Sequence, residues 1–570
     1  MNLTPITQPK PSPKFQVCDI ETMNWTKFIV LGYYDGNIYL EFRSLKKFLA
    51  HIKNKPEQNI FAHFGGKFDF LFILEEVLKD PSLQVQNIIP RGSSILGLEI
   101  ICNGNKINFR DSAALLPFSL KSITENFGTE TVKGDWDHSK TKGYSKGLSK
   151  YLKSDCISLY QSLEKFYAWP LIQASGPAYT MASQAMKVFR TFIKEPIQNL
   201  PKNSTAFCRQ AYLGGRVEIF KPIFKGANNE KLFEYDVNSL YPSVMRDMAF
   251  PVDSGYGTFG RNKSRLGIYE ASVVAPEGLH IPTLGVIQDA KYIFPVGRFS
   301  GHWTGAEIDY AETLGYKIKI IRGHEFKTKK YLFKGYVEAL YDIRKTSPPN
   351  SVSNVLAKLL MNSLYGRFGM NLNRENISFE LKEGNKEYET IKIGKKRIQL
   401  FKEPCEIDSF TNVAIAAHVT SYARIHMHRL MQQCDGELFY TDTDSLFTTR
   451  DFPDSKNLGD LKRECSYDSA CFLLPKTYIA TGKMKTKIAM KGFDKKKIQN
   501  FTFEDFTMAF QGDLKRMKVT SEPKFATLKS ALAQKKLVTM TKASDKQLRS
   551  LYTKRIILKN GETKPITLEE

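Results

Sequence analysis

Residues 440–445 are Tyr-Thr-Asp-Thr-Asp-Ser, and they follow a helix that the sequence predicts over 412–433. The segment predicts a β-hairpin whose turn presents Asp442 and Asp444. Aspartate is also frequent in turns, because its side chain bonds to the nearby backbone. An Asp-x-Asp turn taken alone therefore indicates a solvated turn more often than a metal site, and its companions in the sequence have to decide between the two.

Two other segments accompany this turn. Residues 236–242 (DVNSLYP) end a predicted strand, and residues 358–366 (KLLMNSLYG) belong to a helix predicted from 352 to 365. Carboxylates from two strands can hold a pair of divalent ions, as nucleotidyl transfer requires. The predicted ligands are hard oxygen atoms, which suit two Mg²⁺ ions per site and also accept Mn²⁺. They are the carboxylates of Asp236, Asp442 and Asp444 and the carbonyl of Val237.

The helix contributes a polar face beside these carboxylates. Lys358 lies one turn before Asn362 and two turns before Tyr365, so all three side chains share one side of the helix. We expect this face to meet an incoming triphosphate, with Lys345 as a second cation. Tyr241 is placed to lie under the sugar, where its ring would exclude a 2'-hydroxyl.

A second set of carboxylates lies in the first third of the chain. Asp19 and Glu21 alternate along a predicted strand and therefore face the same way. Asp69 follows a Gly-Gly turn, and Asp155 lies one helical turn after Tyr151, which can orient an attacking water. Converging carboxylates are typical of two-metal hydrolysis. The alternative is that these are ordinary edge or surface carboxylates.

Segments 236–242, 358–366 and 440–445 resemble motifs A, B and C of family B DNA polymerases, and the N-terminal carboxylates resemble that family's three 3'-to-5' exonuclease motifs. The protein-primed branch of the family is the most similar. The resemblance implies DNA-binding roles for the K-x-Y motif at Lys476 and Tyr478, for a template-contacting pair, Thr420 and Arg424, and for a Tyr-x-Gly-Gly linker formed by Tyr212, Gly214 and Gly215.

The resemblance also covers the auxiliary exonuclease residues. It implies that Lys133 assists catalysis, that Asp135 is a further metal candidate, and that Ser119 and Leu120 bind single-stranded DNA. One position departs from the pattern, because relatives have asparagine where this chain has Phe64. We expect Phe64 to face the core, with stacking on a base as the alternative.

The implied fold is α/β and α+β, with several domains. An RNase H-like exonuclease domain precedes a right-hand polymerase of palm, fingers and thumb that contains two inserted subdomains. The predicted division is exonuclease 1–175, palm 176–275, first insertion 276–345, fingers 346–370, second insertion 371–410 (a β-hairpin), palm 411–495 and thumb 496–570. The first 15 residues are expected to form a loose arm.

Composition agrees with a nucleic-acid partner. The chain has 83 Lys and Arg against 59 Asp and Glu, a formal net charge of +24, and such an excess attracts polyanions. Seven lysines between 483 and 497 predict a surface that follows phosphates, with a solvated charged face as the alternative. The eight cysteines form no CxxC pair, which argues against zinc and iron–sulfur sites. No apolar run is long enough to span a membrane, so we expect a cytoplasmic protein with no membrane partner.

The resemblance implies a DNA-directed DNA polymerase with proofreading, which uses template, primer and dNTPs as a monomer. It further implies priming by a terminal protein, replication of a linear viral DNA and processive strand displacement by the second insertion. One alternative is a family B polymerase that uses nucleic-acid primers or none. Another is a DNA-binding nuclease whose polymerase half is inactive. The sequence does not decide between a phage and a linear plasmid.

Overall fold

The N-terminal third of the chain alternates strands and helices. The structure is a computed structural model that describes residues 2–92, 94–227, 229–371, 375–379, 386–393, 396–404, 410–533, 537–548 and 552–569. The elements of this part are β1 (Gln16–Met23), β2 (Lys27–Tyr34), β3 (Tyr39–Phe42), α1 (Leu45–Ile52), β4 (Gln58–Ala62), α2 (Asp69–Val77), β5 (Gln84–Arg91), β6 (Ser94–Cys102), β7 (Asn105–Asp111), α3 (Leu120–Phe127) and α4 (Lys146–Tyr167).

The middle of the chain begins with three helices and continues with strands and helices. Its elements are α5 (Pro170–Ser175), α6 (Met181–Arg190), α7 (Lys202–Arg209), β8 (Val217–Ile219), β9 (Ile223–Lys225), β10 (Leu232–Val237), α8 (Leu240–Asp247), β11 (Phe250–Pro251), β12 (Tyr256–Thr258), β13 (Leu266–Ala275), β14 (Val286–Gln288), β15 (Lys291–Ile293), β16 (Val296–Thr304), α9 (Gly305–Thr313), β17 (Lys317–Phe326), β18 (Lys329–Lys330), α10 (Lys334–Thr346) and α11 (Val352–Phe368).

The remaining elements are mostly strands around one long helix. They are β19 (Glu375–Ser378), β20 (Lys386–Ile393), β21 (Lys396–Pro404), α12 (Val413–Gln433), β22 (Leu438–Asp442), β23 (Ser445–Thr448), β24 (Leu461–Tyr467), β25 (Ser469–Leu474), β26 (Thr477–Thr481), β27 (Thr486–Met490), α13 (Phe503–Phe510), β28 (Lys518–Ser521), α14 (Leu528–Ala533), β29 (Ser544–Gln547), β30 (Ile556–Ile557), β31 (Thr563–Lys564) and β32 (Thr567–Glu569).

The N-terminal sheet is mixed, in the order β20-β21-β19-β5-β6-β7-β4-β1-β2-β3. Its core strand β1 pairs in parallel with β4 and antiparallel with β2. Strand periodicity sends alternate side chains to opposite faces. Cys18 and Ile20 therefore pack with α1 and α2, whereas Val17 packs with α4. Asp19 and Glu21 have the same parity as Val17, so they lie on the α4 side.

The predicted hairpin insertion is part of this sheet. Strands β20 and β21 pair antiparallel, β21 pairs with β19, and β19 reaches the N-terminal domain through Ile377 opposite Ile88. The insertion therefore extends the edge at β5. Parts of 371–410 lie outside the described residues.

A central five-stranded sheet, in the order β24-β10-β23-β22-β8, lies beside α8, α11 and α12. The long helix α12 is buried along most of its length. Its position is close to the predicted 412–433, and α11 agrees with the helix predicted over 352–365.

The first insertion is larger in the structure than the predicted boundary at residue 276. Its sheet runs β12-β17-β13-β16-β32, so it includes residues from Tyr256 onward. Its edge strand β32 comes from the end of the chain and pairs in parallel with β16. Just before it, Tyr552 and Arg555 are buried, and Thr563 Oγ1 donates to the carbonyls of residues 219 and 220.

The first residues do not form the expected loose arm. Leu3 is buried, and it exchanges two backbone hydrogen bonds of 2.9 Å with Ile197. Arg190 Nε donates to the carbonyl of Thr4 at 2.7 Å. The buried Leu3 and these hydrogen bonds therefore anchor the start of the chain. In the described part of the chain, no helix combines the length and apolar character needed to cross a membrane.

Candidate functional site

The N-terminal carboxylates converge in one cleft of about 430 Å³, here named the N-terminal cleft. Asp19 and Glu21 come from β1, Asp69 from the first turn of α2, and Asp155 from α4. Asp69 Oδ1 accepts the backbone N–H of Ile20 at 2.9 Å, which fixes α2 against β1. The structure therefore brings together the four carboxylates that the sequence selected.

A lysine and a tyrosine complete the α4 side of the cleft. Lys133 Nζ donates to Tyr151 Oη at 2.6 Å and also forms an ion pair with Asp155. Gly134 leaves room for this arrangement, since a Cβ there would lie 3.2 Å from the Tyr151 ring. Lys133 is thus positioned to balance part of the charge of the cleft.

The carboxylates repel each other where water is scarce. Burial, reinforced by Asp69 and Glu21, raises the pKa of Asp19 well above its usual value. Burial raises the pKa of Asp69 to about 7 and also raises that of Asp155, against the effect of Lys133. A cation bound among these carboxylates would offset their mutual repulsion and favour their ionised form.

The turn before Asp69 depends on a close backbone approach. A Cβ on Gly66 would lie 1.8 Å from the carbonyl oxygen of Ile95, so only glycine fits. His63 precedes this turn, and its ring nitrogens lie 2.9 Å from Ser112 Oγ and 2.8 Å from the carbonyl of Phe118. Burial lowers the pKa of His63 to about 4, so the ring is neutral near pH 7.

Two expectations for this region need correction. Phe64 does not face the core: it is 40% exposed, has a left-handed backbone (φ 58°) and lines the cleft. Asp135 does not join the carboxylates, because it is exposed and forms an ion pair with Lys121. Ser119 is exposed and caps α3, whereas Leu120 is buried.

The central site is formed by Asp236, Asp442 and Asp444. Asp442 and Ser445 are paired, so Thr443 and Asp444 form a two-residue hairpin loop. Such loops need a positive φ, and Thr443 has φ 64°. The N–H of Val237 donates to the carbonyl of Asp444 at 2.8 Å, which fixes the loop to the end of β10.

These carboxylates also lie in a partly desolvated place. Burial and the charge of Asp444 raise the pKa of Asp236 to about 7. Burial likewise raises the pKa of Asp444. Lys476 Nζ lies 3.0 Å from Asp442 Oδ1, and the backbone N–H of Lys476 donates to Tyr440 Oη at 2.9 Å. The K-x-Y lysine therefore contacts the carboxylate turn.

The face of α11 that the sequence predicted is open. Lys358 and Asn362 are exposed, while Tyr365 stacks on Tyr241 with ring centroids 4.4 Å apart. Burial raises the pKa of Tyr365, and the neighbouring Tyr241 and the charge of Asp444 add to this rise. Lys345 is exposed at the end of α10.

The Tyr-x-Gly-Gly segment packs on the carboxylate turn. A Cβ on Gly215 would lie 2.7 Å from Thr443 Cγ2 and 3.0 Å from its Cα, whereas Gly214 has open space. The carbonyl of Arg216 accepts the N–H of Thr443 at 2.8 Å. Tyr212 is half-buried against Gly369.

Leu120 and three further residues predicted to contact DNA are buried, which does not agree with a direct contact. Thr420 bonds within its own helix. Arg424 binds Glu307 Oε1 at 2.7 Å and donates to the carbonyls of Leu213 and Gly214. Tyr478 packs among aromatic rings of the core. Arg424 thus positions the linker from inside the protein.

Sequence reasoning missed several groups at the two sites. Arg344, rather than its neighbour Lys345, reaches the segment after Asp236, because its Nη1 donates to Ser239 Oγ at 3.1 Å. His138 Nδ1 lies 3.5 Å from Glu21 Oε2. Arg344 could have been found, because it lies next to Lys345 in the sequence. Nothing in the sequence near His138 indicated its contact with Glu21.

The donor atoms fit a hard divalent cation. In the described ranges, no three or more His, Cys, Asp or Glu side chains are arranged as a metal site. However, Asp155 Oδ1 is buried with no hydrogen-bond partner, and both carboxylate sets have raised pKa values. Oxygen-only donors suit Mg²⁺ or Mn²⁺ better than softer metals.

Comparison with known proteins identifies relatives of the whole arrangement. The family model "DNA polymerase type B, organellar and viral" matches residues 50–149 and 144–435. A probable DNA polymerase of Neurospora intermedia is 30% identical over 66% of this chain, and the DNA polymerase of Enterobacteria phage PRD1 is 27% identical over 81% of each chain. The chain spans about two fifths of the length of the fungal relatives, 42% for the Neurospora protein.

Solved structures show the same fold. The phi29 DNA polymerase, in its complex with primer-template DNA and incoming nucleotide, superposes with a TM-score of 0.75 at 22% identity, covering 94% of this chain and all of that one. Its mixed architecture of N-terminal domain, palm, fingers, thumb and insertions is therefore the architecture of this protein. Since the family model also matches more than half of the chain, the protein belongs to the type B DNA polymerases of organelles and viruses.

Proposed function

We propose that the protein is a DNA-directed DNA polymerase that also degrades DNA from the 3' end. The observation on which this rests is the presence of two separate carboxylate sites, one fixed by the hydrogen bond between Val237 and Asp444 and one at the β1–α2–α4 junction. Each has the acidic donors that two-metal phosphoryl chemistry needs.

In the synthetic reaction, Asp236 and Asp444 hold negative charge at a fixed place on the central sheet. Tyr241, stacked on Tyr365, presents a flat wall to the sugar of the incoming nucleotide and excludes a 2'-hydroxyl. Lys358 and Asn362 project from α11 into solvent, where they can bind the triphosphate.

In the degradative reaction, Asp19, Glu21, Asp69 and Asp155 surround the scissile phosphate. Tyr151 holds the attacking water, and Lys133, bonded to Tyr151 and Asp155, stabilises the charge that develops on the phosphate oxygens. Lys476 has the matching place in the synthetic site, beside Asp442.

Family B polymerases use divalent metal ions, and we propose two Mg²⁺ ions per site, with Mn²⁺ as a substitute. When bound, they activate the attacking oxygen and stabilise the leaving group. The carboxylates Asp236 and Asp444 with the Val237 carbonyl would hold one pair. The carboxylates of the N-terminal cleft would hold the other.

The priming mode is a finer part of the proposal. We propose that a terminal protein supplies the primer hydroxyl and docks on the first insertion, whose strand β17 exposes Lys317, Lys319 and Arg322. The second insertion, at the edge of the N-terminal sheet, supports strand displacement. The proposed division of the chain is the predicted one, with the first insertion enlarged to begin near residue 256 and to include β32. Priming on nucleic acid is the second candidate.

The decisive experiment is primer extension on a long single-stranded DNA circle with Mg²⁺ and four dNTPs. The wild type should yield products longer than the circle, and Asp444→Ala should yield none while still degrading single strands. The double variant Asp19→Ala, Glu21→Ala should show the opposite pattern. Loss of both activities in either variant would contradict two separate sites.

A separate labelling experiment tests priming. Incubation with radiolabelled dNTPs and the host extract should produce a labelled protein–nucleotide adduct that proteinase destroys. Labelled DNA without any such adduct, formed only when an oligonucleotide primer is added, would favour the second candidate.

A further inference from the structure

The turn between β1 and β2 presents a tryptophan in an unusual conformation. Trp25 has φ 63°, directly after Asn24 with φ 51°. A bulky residue seldom adopts a left-handed backbone, and the strain costs of the order of 1 kcal/mol. Trp25 is nevertheless 54% exposed, so burial of its indole does not explain why the strain is tolerated.

Neighbouring rings hold the indole in place. Trp25 stacks on His138 with centroids 6.0 Å apart at 29°, and its edge meets Phe68 at 6.3 Å. His138 in turn lies 3.5 Å from Glu21, one of the clustered carboxylates. The indole is therefore fixed relative to the acidic cleft, with one part of its surface covered and the rest open.

Trp25 is also a wall of the N-terminal cleft, which Asp19, Asp69 and Asp155 line as well. Phe64 contributes a second exposed ring to the same walls. Acidic groups in the cleft repel phosphates unless cations are bound, so binding before catalysis needs another source of affinity. Aromatic rings supply it for single strands, whose unpaired bases expose their faces.

We infer that Trp25, backed by His138, is a stacking platform for a base of a single-stranded 3' end in the N-terminal cleft. The inference rests on the proposed exonuclease activity and adds a binding residue to it. Duplex ends present no free base face at this position, so the platform would favour frayed or unpaired ends. Stacking on one base is expected to change affinity by about 10-fold.

Tryptophan fluorescence provides a test that does not require hydrolysis. Of the four tryptophans, Trp169 and Trp303 are buried, and Trp136 stacks on Tyr151. Titration with a pentamer of deoxythymidylate in EDTA should quench the wild-type emission. Trp25→Phe should remove most of the quenching but retain binding in a competition assay. Quenching that is unchanged in Trp25→Phe would overturn the inference.

Kinetics then separates binding from a structural role. Trp25→Ala should raise the KM for single-stranded degradation about 10-fold with kcat within 2-fold of the wild type, and Trp25→Phe should restore the KM. Primer extension, which uses the other site, reports on folding in the same preparations. Phe259→Ala removes another exposed ring, 88% accessible and outside the cleft, and should change nothing.

The outcomes distinguish this inference from the proposed activity. An unchanged KM in Trp25→Ala, or a fall of kcat without a rise of KM, would overturn the platform. If the wild type bound the pentamer with Trp25-dependent quenching but released no nucleotides with Mg²⁺, the exonuclease proposal would fail and the platform would stand. If the pentamer neither bound nor was degraded, both would fail.

Discussion

The N-terminal cleft and the central site are built from the same types of side chain, carboxylates with a nearby lysine, in different surroundings. The cleft is assembled from β1, α2 and α4, and Lys133 already pairs with Asp155 inside it. The central site gathers its carboxylates on one sheet, while Lys358 and Asn362 remain exposed on α11. The cleft therefore already holds a cation beside its carboxylates. The polar face of α11 beside the central site is open to solvent.

The two also differ in how far along the chain their support extends. The cleft carboxylates belong to the first 155 residues, whereas the linker beside the central site is held by Arg424, which pairs with Glu307 from the first insertion. Removing one charge of a buried pair leaves the other without compensation, which costs about 3–5 kcal/mol. Because its support comes from distant parts of the chain, we expect substitutions of supporting residues to destabilise the central site more than the cleft.

The largest expected effect follows from this difference. Arg424→Met should lower the free energy of unfolding around α12 by about 3 kcal/mol, because Glu307 would remain buried without its partner. Hydrogen exchange of α12 and β1 measures the two regions separately, and β1 should be unaffected. The double variant Arg424→Met, Glu307→Gln should recover most of the loss. Arg322→Met, which breaks an exposed pair with Glu270, should cost less than about 1 kcal/mol.

A backbone contact should give the next largest effect. Gly215→Ala places a methyl group against Thr443 and should displace the carboxylate turn, lowering the rate of synthesis about 100-fold. Degradation should stay within 2-fold of the wild type. Gly214→Ala is the matched control, since a Cβ there meets open space, and it should extend primers normally. Equal loss in both variants would mean that linker flexibility, rather than this contact, is important.

The two lysines give a direct comparison of the sites. The side chain of Lys133 is 26% exposed and that of Lys476 is 52% exposed. A shielded charged hydrogen bond is worth about 2 kcal/mol, whereas an exposed pair is worth less than about 1 kcal/mol. Lys133→Ala should therefore lower degradation about 30-fold, and Lys476→Ala should lower synthesis about 5-fold. Single-turnover assays of both reactions would check this, and the reverse order would contradict the difference in shielding.

Acid should separate the two regions further, with a smaller effect. Burial lowers the pKa of His418 to about 4 and that of His428 to about 3, and both belong to α12. Their contribution to stability is complete above pH 6.5 and is lost progressively as the pH drops toward those values. Asp69 has the opposite sign, because its raised pKa of about 7 lets protonation stabilise the metal-free cleft as the pH falls.

Hydrogen exchange in EDTA between pH 7 and pH 5 measures this. Protection of α12, corrected for intrinsic exchange, should decrease while protection of β1 holds or increases. His418→Leu should make the dependence of α12 shallower, because it removes a buried titrating ring whose Nδ1 donates to the carbonyl of Ala414 and whose Nε2 has no partner. A uniform response of both elements would contradict these assignments.

Local periodicity was sufficient to predict much of the fold. The strands around Asp19, the helix after Asp69 and helices α11 and α12 follow from apolar spacing of two or of 3.6 residues. The carboxylates at both sites could be selected because catalysis restricts their residue type and their order along the chain. Comparison with the phi29 polymerase confirmed the fold class. The role of each residue stays a prediction until the variants are measured.

Partners that are distant in the chain could not be predicted in this way. Arg424 was expected to contact the template, but Glu307, 117 residues earlier, pairs with it inside the protein. The N-terminal sheet is extended because β19 pairs with β5, a strand far away in the sequence. Phe64 was expected to face the core, with stacking on a base as the alternative, yet it lies in a left-handed turn and is 40% exposed. Each of these errors concerns tertiary contacts rather than local preference.

The return of the C-terminal segment has a consequence for the nascent chain. Arg555 lies 3.7 Å from Glu218, which also binds Arg216, and the carbonyl of Arg216 holds the carboxylate turn through the N–H of Thr443. Residues 552–569 are synthesised last among those described, so the support below that turn is completed after the rest of the described chain has been made. Until then the growing chain would contain all the carboxylates of the N-terminal cleft, whereas the central site would lack part of its support.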